Sequence, residues 1–225
     1  MPALDHLEVH SPTASQFLGS LSMKPFIETN SSASLVFWTT LGVWGAIEWG
    51  GTWREARARR RRGEVWSRAD RGTGAFIFLM IYVGFALALL AAYRVPSAAL
   101  TSHPWVWLGL GVAVVAAGIA LRQWAIHTLG RFFTHDVRIQ ETHSLVTSGP
   151  YRLVRHPSYL GGLISAAGFG LALGNWLAIP AAVVPDLVGL VRRIHVEEDA
   201  LRHGLGPGVY QSYEEKRARL LPGIW

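Results

Sequence analysis

The chain has 225 residues, 50% of them hydrophobic and 16% charged, with a net charge of +6 and a mean hydropathy of +0.25. That composition excludes a disordered chain and argues against a soluble enzyme, because soluble domains carry about 25% charged residues. With no Cys, disulfide scaffolds, thiol nucleophiles and Cys-ligated metal sites are excluded as well.

In chain order, residues 1–33 are polar and read as an N-terminal arm at the surface. No basic stretch followed by an apolar run marks a signal peptide there. Residues 34–129 contain three apolar segments, 34–51, 72–93 and 105–129. Each is near the roughly 20 residues a helix needs to cross a bilayer. Between the first two lies a predicted Arg-rich cytoplasmic loop, 52–71, with eight Arg between Arg54 and Arg71. Beside apolar spans, such a cluster reads as an anchor for anionic membrane lipids. No nucleic-acid recognition motif accompanies it, so no nucleic-acid partner is expected.

Residues 130–225 form the third part. A polar segment, 130–157, leads into apolar segments 159–173 and 176–195, which only Gly174 and Asn175 separate. So short a connection predicts a tight antiparallel helical hairpin, with C-terminal helices after it. The expected fold is an all-α integral membrane protein with about five transmembrane helices. Lys and Arg concentrate in 52–71, 130–157 and the tail from Arg192. The positive-inside rule then puts the N-terminus outside and the C-terminus in the cytoplasm.

Ionisable residues within the spans each need a partner. Glu48 is expected to snorkel or to pair with Arg54 or Arg57. Arg122 either snorkels or holds a carboxylate at the cytoplasmic end of its span. Asp186, directly after Pro185, requires a partner or a wet cavity. The His residues at 127, 135, 143 and 156 have no metal-ligand spacing, and no metal is expected.

Two polar constellations carry the chemistry. The run from His143 to Gly161 has turn chemistry at Gly149-Pro150 and places Arg155 and His156 at a helix start. There Pro157 costs no hydrogen bond, and free backbone N–H groups can meet a ligand. In the second, Arg193 and Glu197 share a helix face, whereas the adjacent Glu198 points elsewhere. Together they suit a polar ligand beside a lipid-soluble one.

These motifs resemble the isoprenylcysteine carboxyl methyltransferase family, within the wider group of membrane phospholipid methyltransferases. The resembling residues are the His143-to-Tyr151 run, Arg155-His156-Pro157-Ser158-Tyr159, Arg193 with Glu197-Glu198 and Leu201, and the ending from Gly206 through Tyr210, Tyr213 and Arg219 to Pro222. They span about 100 residues, from near Arg122 to the end. The resemblance implies S-adenosylmethionine as cofactor and a carboxylate on a lipophilic or prenylated substrate as methyl acceptor. It implies that His143, Ser144, Leu145 and Val146 line the adenosine end. Tyr151, His156, Pro157, Ser158 and Tyr159 would hold the rest of the cofactor, with Glu197 on its amino group. Arg193 would face the substrate carboxylate and Arg155 would support the pocket. If the acceptor were an amine or a phenol, His156 or Glu198 could serve as base. An NADPH-dependent membrane isoprenoid reductase and a non-enzymatic lipid-binding protein are the alternative readings.

Overall fold

The structure, a computed structural model, describes residues 24–62, 66–68, 70–134, 137–140, 144–223 and 225. A short turn, α1 (Phe26–Thr29), precedes α2 (Ser31–Arg62), and α3 (Thr73–Arg94) and α4 (Pro104–Leu129) follow. The remaining helices are α5 (Pro157–Ala172), α6 (Ala178–Gly204) and the short α7 (Val209–Glu214). Of the predicted N-terminal arm, only 24–33 is described, and that part is largely helical.

Helix α2 does not stop at Gly50-Gly51 but continues through the predicted Arg-rich loop to Arg62. Ala, Arg and Glu are strong helix formers, and they outweigh two glycines. Thr52 and Arg54 also donate back to the carbonyls of Glu48 and Gly50, satisfying acceptors around the glycine pair. Among the described residues the fold is helical, as expected, apart from one short ribbon. Trp66–Arg68 and Arg138–Gln140 form a two-stranded antiparallel ribbon with Ser67 opposite Ile139. It ties the segment before α3 to the segment after α4.

Small residues set the helix packing, as they do where apolar helices meet without a hydrophobic drive between them. Helices α4 and α5 touch along Gly111, Gly118, Gly161 and Gly168, and α3 meets α6 where Gly84 lies on the Ala182 carbonyl. A Cβ on Gly111 would collide with the Ala172 backbone nitrogen. Backbone cannot yield as a side chain can, so Gly111→Ala is expected to destabilise the bundle by about 1–3 kcal/mol despite its better helix propensity. Thermal unfolding in detergent measures this; an unchanged or raised Tm contradicts the close approach.

The core lies toward the end of the bundle away from α7, where Phe85 and Phe169 meet at 4.6 Å and Phe37 joins them. At that end Asn175 pins the α5–α6 connection. Its amide donates to the Val95 carbonyl and its side-chain oxygen accepts from the Leu177 N–H. Leu100 and Trp176 add backbone bonds to Gly174 and Ala98. The outer surface is apolar: Leu79, Tyr82 and Leu90 on α3 and Val106, Leu110 and Trp124 on α4 are exposed. Helices α3 and α4 are long and apolar enough to cross a membrane. So large an exposed apolar surface is stable only against lipid.

Candidate functional site

The site forms where the start of α5, the second half of α6 and the C-terminal segment converge. Gly149–Arg152 makes one turn of 3-10 helix and buries Tyr151. The chain then runs beside the C-terminal segment, with Arg155 N–H donating to the Ala218 carbonyl and His156 N–H to that of Arg219. Pro157 opens α5 at N1, as its missing N–H permits. These bonds present the His156 and Tyr159 rings stacked 5.4 Å apart.

Adjacent positions on a helix point about 100° apart, and Glu197 and Glu198 accordingly have different surroundings. Glu197 faces a cavity and accepts a 2.6 Å hydrogen bond from the Tyr159 hydroxyl. That hydroxyl in turn accepts from Arg193 Nε at 2.8 Å, and Arg193 Nη1 reaches Asp70 at 3.2 Å. Asp70, Arg193, Tyr159 and Glu197 thus form one continuous chain from the N-terminus of α3 to the cavity. Asp70 also accepts from the Thr73 hydroxyl and the Gly74 N–H. Burial would raise its pKa, but the Gly74 N–H, the Thr73 hydroxyl and the Arg193 charge prevail and lower it.

Glu198 has no exposed surface and does not line the cavity. Arg155 lies at 2.7 Å, Arg219 at 3.1 Å, His156 Nε2 at 3.2 Å and Arg202 at 3.5 Å. Burial would raise the Glu198 pKa, yet His156, Arg155 and Arg219 hold it down at about 2. A carboxylate so held is a poor proton acceptor. It is the anchor that joins α6, the start of α5 and the C-terminal segment. Burial raises the Tyr151 and Tyr210 hydroxyls and pushes Tyr213 up to about 12, so all three are neutral phenols.

The cavity holds about 350 Å³. Leu145, Val146, Tyr151, His156, Ser158, Tyr159 and Glu197 line it, as do Arg155 and Arg193. Of the remaining predicted site residues, Ser144 is exposed and Pro157 is buried in the first turn of α5, and neither lines the cavity. His143 lies outside the described residues. Arg155 lines the wall, but its guanidinium is directed to Glu198 and, at 3.6 Å, Glu214. The other end of the cavity is apolar, walled by Leu41, Trp44, Phe78, Ile81 and Phe85. Between the two ends Glu48 pairs with Arg122 at 2.6 Å, from α2 to α4, rather than with Arg54 or Arg57 as the sequence suggested.

Asp70, Arg202 and Glu214 carry no site signal of their own in the sequence, whereas Arg219 lies in the ending that carries the family resemblance. Arg202 stands four residues after Glu198, a spacing that does signal a shared helix face. Asp70 is 123 positions from Arg193, and no local pattern reveals that pair.

Fold and site together define a helical membrane protein whose cavity joins a polar, aromatic end to an apolar one. Residues 109–203 match the isoprenylcysteine carboxyl methyltransferase (ICMT) family. The chain is 34% identical to protein-S-isoprenylcysteine O-methyltransferase B of Arabidopsis thaliana over 65% of its own length and 76% of that protein. It is 38% identical to a probable protein-S-isoprenylcysteine O-methyltransferase of Oryza sativa subsp. indica, over 53% of this chain and 63% of the rice protein. A solved structure of the eukaryotic intramembrane Ras methyltransferase ICMT superposes with a TM-score of 0.54 at 30% identity. That superposition covers 65% of this chain and 52% of the other. The chain belongs to the isoprenylcysteine carboxyl methyltransferase family. It spans 63% of the length of the rice relative.

Proposed function

We propose that this protein is an integral membrane, S-adenosylmethionine-dependent carboxyl methyltransferase acting on a lipophilic or prenylated substrate. The observation that carries this reading is the Arg193–Tyr159–Glu197 chain, set where the cavity passes from polar to apolar. In this reading five helices, α2 to α6, cross the bilayer with the last two as a hairpin. The N-terminus is outside and the site faces the cytoplasm. The arginines at the end of α2 meet anionic lipid there. Helix α5, only 16 residues long, is about 24 Å and crosses with help from the turn before it.

The cavity residues fit the cofactor. Glu197 is an acceptor for its ammonium, Leu145 and Val146 line the wall for the adenosine, and the rings of Tyr151, Tyr159 and His156 suit a sulfonium. When bound, S-adenosylmethionine supplies an electrophilic methyl group. Arg193 orients the acceptor carboxylate, binding one oxygen and leaving the other free to attack. Tyr159 fixes the Arg193 guanidinium and Glu197 relative to each other, which is how a nucleophile is held near about 3–3.5 Å from its target. A carboxylate acceptor carries its own negative charge, so no base is required, and the buried Glu198 has none to provide.

Thermal-shift titration of detergent-purified protein tests this reading. Saturable stabilisation by S-adenosylmethionine and its demethylated product, with none from NADPH, is expected. Stabilisation by NADPH alone would favour a reductase. Glu197→Gln is expected to weaken cofactor binding at least tenfold, about 1.4 kcal/mol, without lowering the Tm of the free protein. Unchanged affinity sinks that assignment.

A further inference from the structure

Arg193 faces the cavity, but it is held from behind. Asp70 is 2% exposed, does not line the cavity, and lies outside the stretch 109–203 that matches the family. Its carboxylate is fixed independently of Arg193. Oδ1 accepts from the Thr73 hydroxyl at 2.9 Å and Oδ2 from the Gly74 N–H at 3.1 Å, both in the first turn of α3. The Val137 N–H donates to it as well, and Val137 is itself buried and lines the cavity. Capping a helix start needs only one acceptor oxygen, which Ser, Thr or Asn also supplies. The Asp70 carboxylate does more, because it joins α3, the segment after α4 and α6 at one point.

On α6, Arg193 Nη1 donates to Asp70 Oδ1 at 3.2 Å and Nε donates to the Tyr159 hydroxyl at 2.8 Å. Held at two nitrogens, a planar guanidinium cannot turn without breaking one of these bonds. Held at Nε alone, it can swing about that bond. The direction in which Arg193 presents itself to the cavity is therefore set by a residue of the N-terminal half.

We propose that Asp70 is a positioning residue that aims the Arg193 guanidinium into the cavity, so that the N-terminal half completes a site otherwise built from the family-matched stretch and the C-terminal segment. The assignment rests on the methyltransferase reading only in the kinetic arm of its test. Two substitutions separate capping from positioning. Asp70→Ser keeps an oxygen for the start of α3 but is too short to reach Arg193. Asp70→Asn is nearly isosteric, keeps both a cap and an acceptor for Nη1, and loses only the charge. Each is made in the wild-type and Arg193→Lys backgrounds, and S-adenosylmethionine affinity and methyl-ester formation from S-farnesylcysteine are measured. Asp70→Ser is expected to lower kcat at least about tenfold and Asp70→Asn about threefold, with S-adenosylmethionine affinity within about twofold of wild type. In the Arg193→Lys background neither should lower kcat further by more than about twofold, because Asp70 acts through the guanidinium. The Arg193 Nε–H NMR signal, assigned by its absence from Arg193→Lys, needs no turnover. Its exchange with water should quicken at least about tenfold in Asp70→Ser and less in Asp70→Asn. Asn secures a folded variant if Ser misfolds. Equal losses of kcat in both backgrounds, a parallel loss of S-adenosylmethionine affinity, wild-type turnover in the variants, or an unchanged Nε–H signal overturns the proposal. If wild type forms no methyl ester but the signal responds, the methyltransferase reading fails and the Asp70 assignment stands.

Discussion

Glu198→Leu is expected to destabilise the protein by about 3–5 kcal/mol, the scale on which removing one partner leaves buried charges uncompensated. Three guanidiniums and an imidazole converge on this carboxylate, and Glu214 replaces only part of it for Arg155 and Arg202. Arg155 Nε already lacks a hydrogen-bond partner, so the cluster has no spare acceptor. Denaturant or thermal unfolding in detergent measures the loss, and a change below about 1 kcal/mol, the level of an exposed pair, contradicts the anchor role. The pH dependence follows from the same geometry. The folded pKa of about 2 lies below the ordinary 4.5. Its stabilisation is therefore complete above pH 4.5 and is lost as pH falls toward 2. Glu198→Gln should flatten the acid limb of stability in that window and leave the neutral-to-basic limb unaltered in shape. Because Arg155 and His156 carry the bonds to the C-terminal segment, cofactor affinity should fall together with stability. Glu197→Gln, whose side chain faces the cavity, should lose affinity alone.

The contrast between these neighbouring glutamates shows how far sequence reasoning reaches. Helical spacing separates Glu197 from Glu198, and the Arg193/Glu197 face is equally readable. What spacing does not give is the environment of the second glutamate. Arg219 and Glu214 come from beyond the Gly206–Gly208 turn; Tyr210, Tyr213 and Leu220 suggest that this segment packs back, but only the folded chain shows which charges it brings to the start of α5. The apolar segments locate α3 and α4 within a residue or two, because length and hydropathy alone define a spanning helix. They misplace the end of α2, where charge suggests a loop but helix propensity continues the helix. Pairs between distant helices, Glu48 with Arg122 and Asp70 with Arg193, are invisible for a related reason. A buried charge is satisfied by whatever the packing brings near, not by the nearest opposite charge in sequence.

Removing the Asp70 side chain has the second large expected effect. Asp70→Ala takes away the acceptor for Thr73 and Gly74 at the first turn of α3 and the partner of a buried guanidinium. Loss of the cap costs about 1 kcal/mol and loss of the pair about 3–5 kcal/mol if Arg193 keeps no other carboxylate. The Tyr159 hydroxyl still engages Nε, so the lower end of that range is expected. Arg193→Met alone should cost a similar amount, and the double variant less than the sum of the two by about 1–3 kcal/mol. Strict additivity would mean that the pair is not coupled. Arg193→Lys separates architecture from chemistry. A single ammonium cannot reach both Asp70 and Tyr159 in the fork geometry that the guanidinium uses. Stability should therefore fall only modestly, while turnover in the proposed reaction falls at least about tenfold, because an acceptor no longer fixed relative to Glu197 loses its alignment. Full activity of Arg193→Lys at equal expression would place the acceptor carboxylate elsewhere in the cavity, which Arg122 and Arg155 also line.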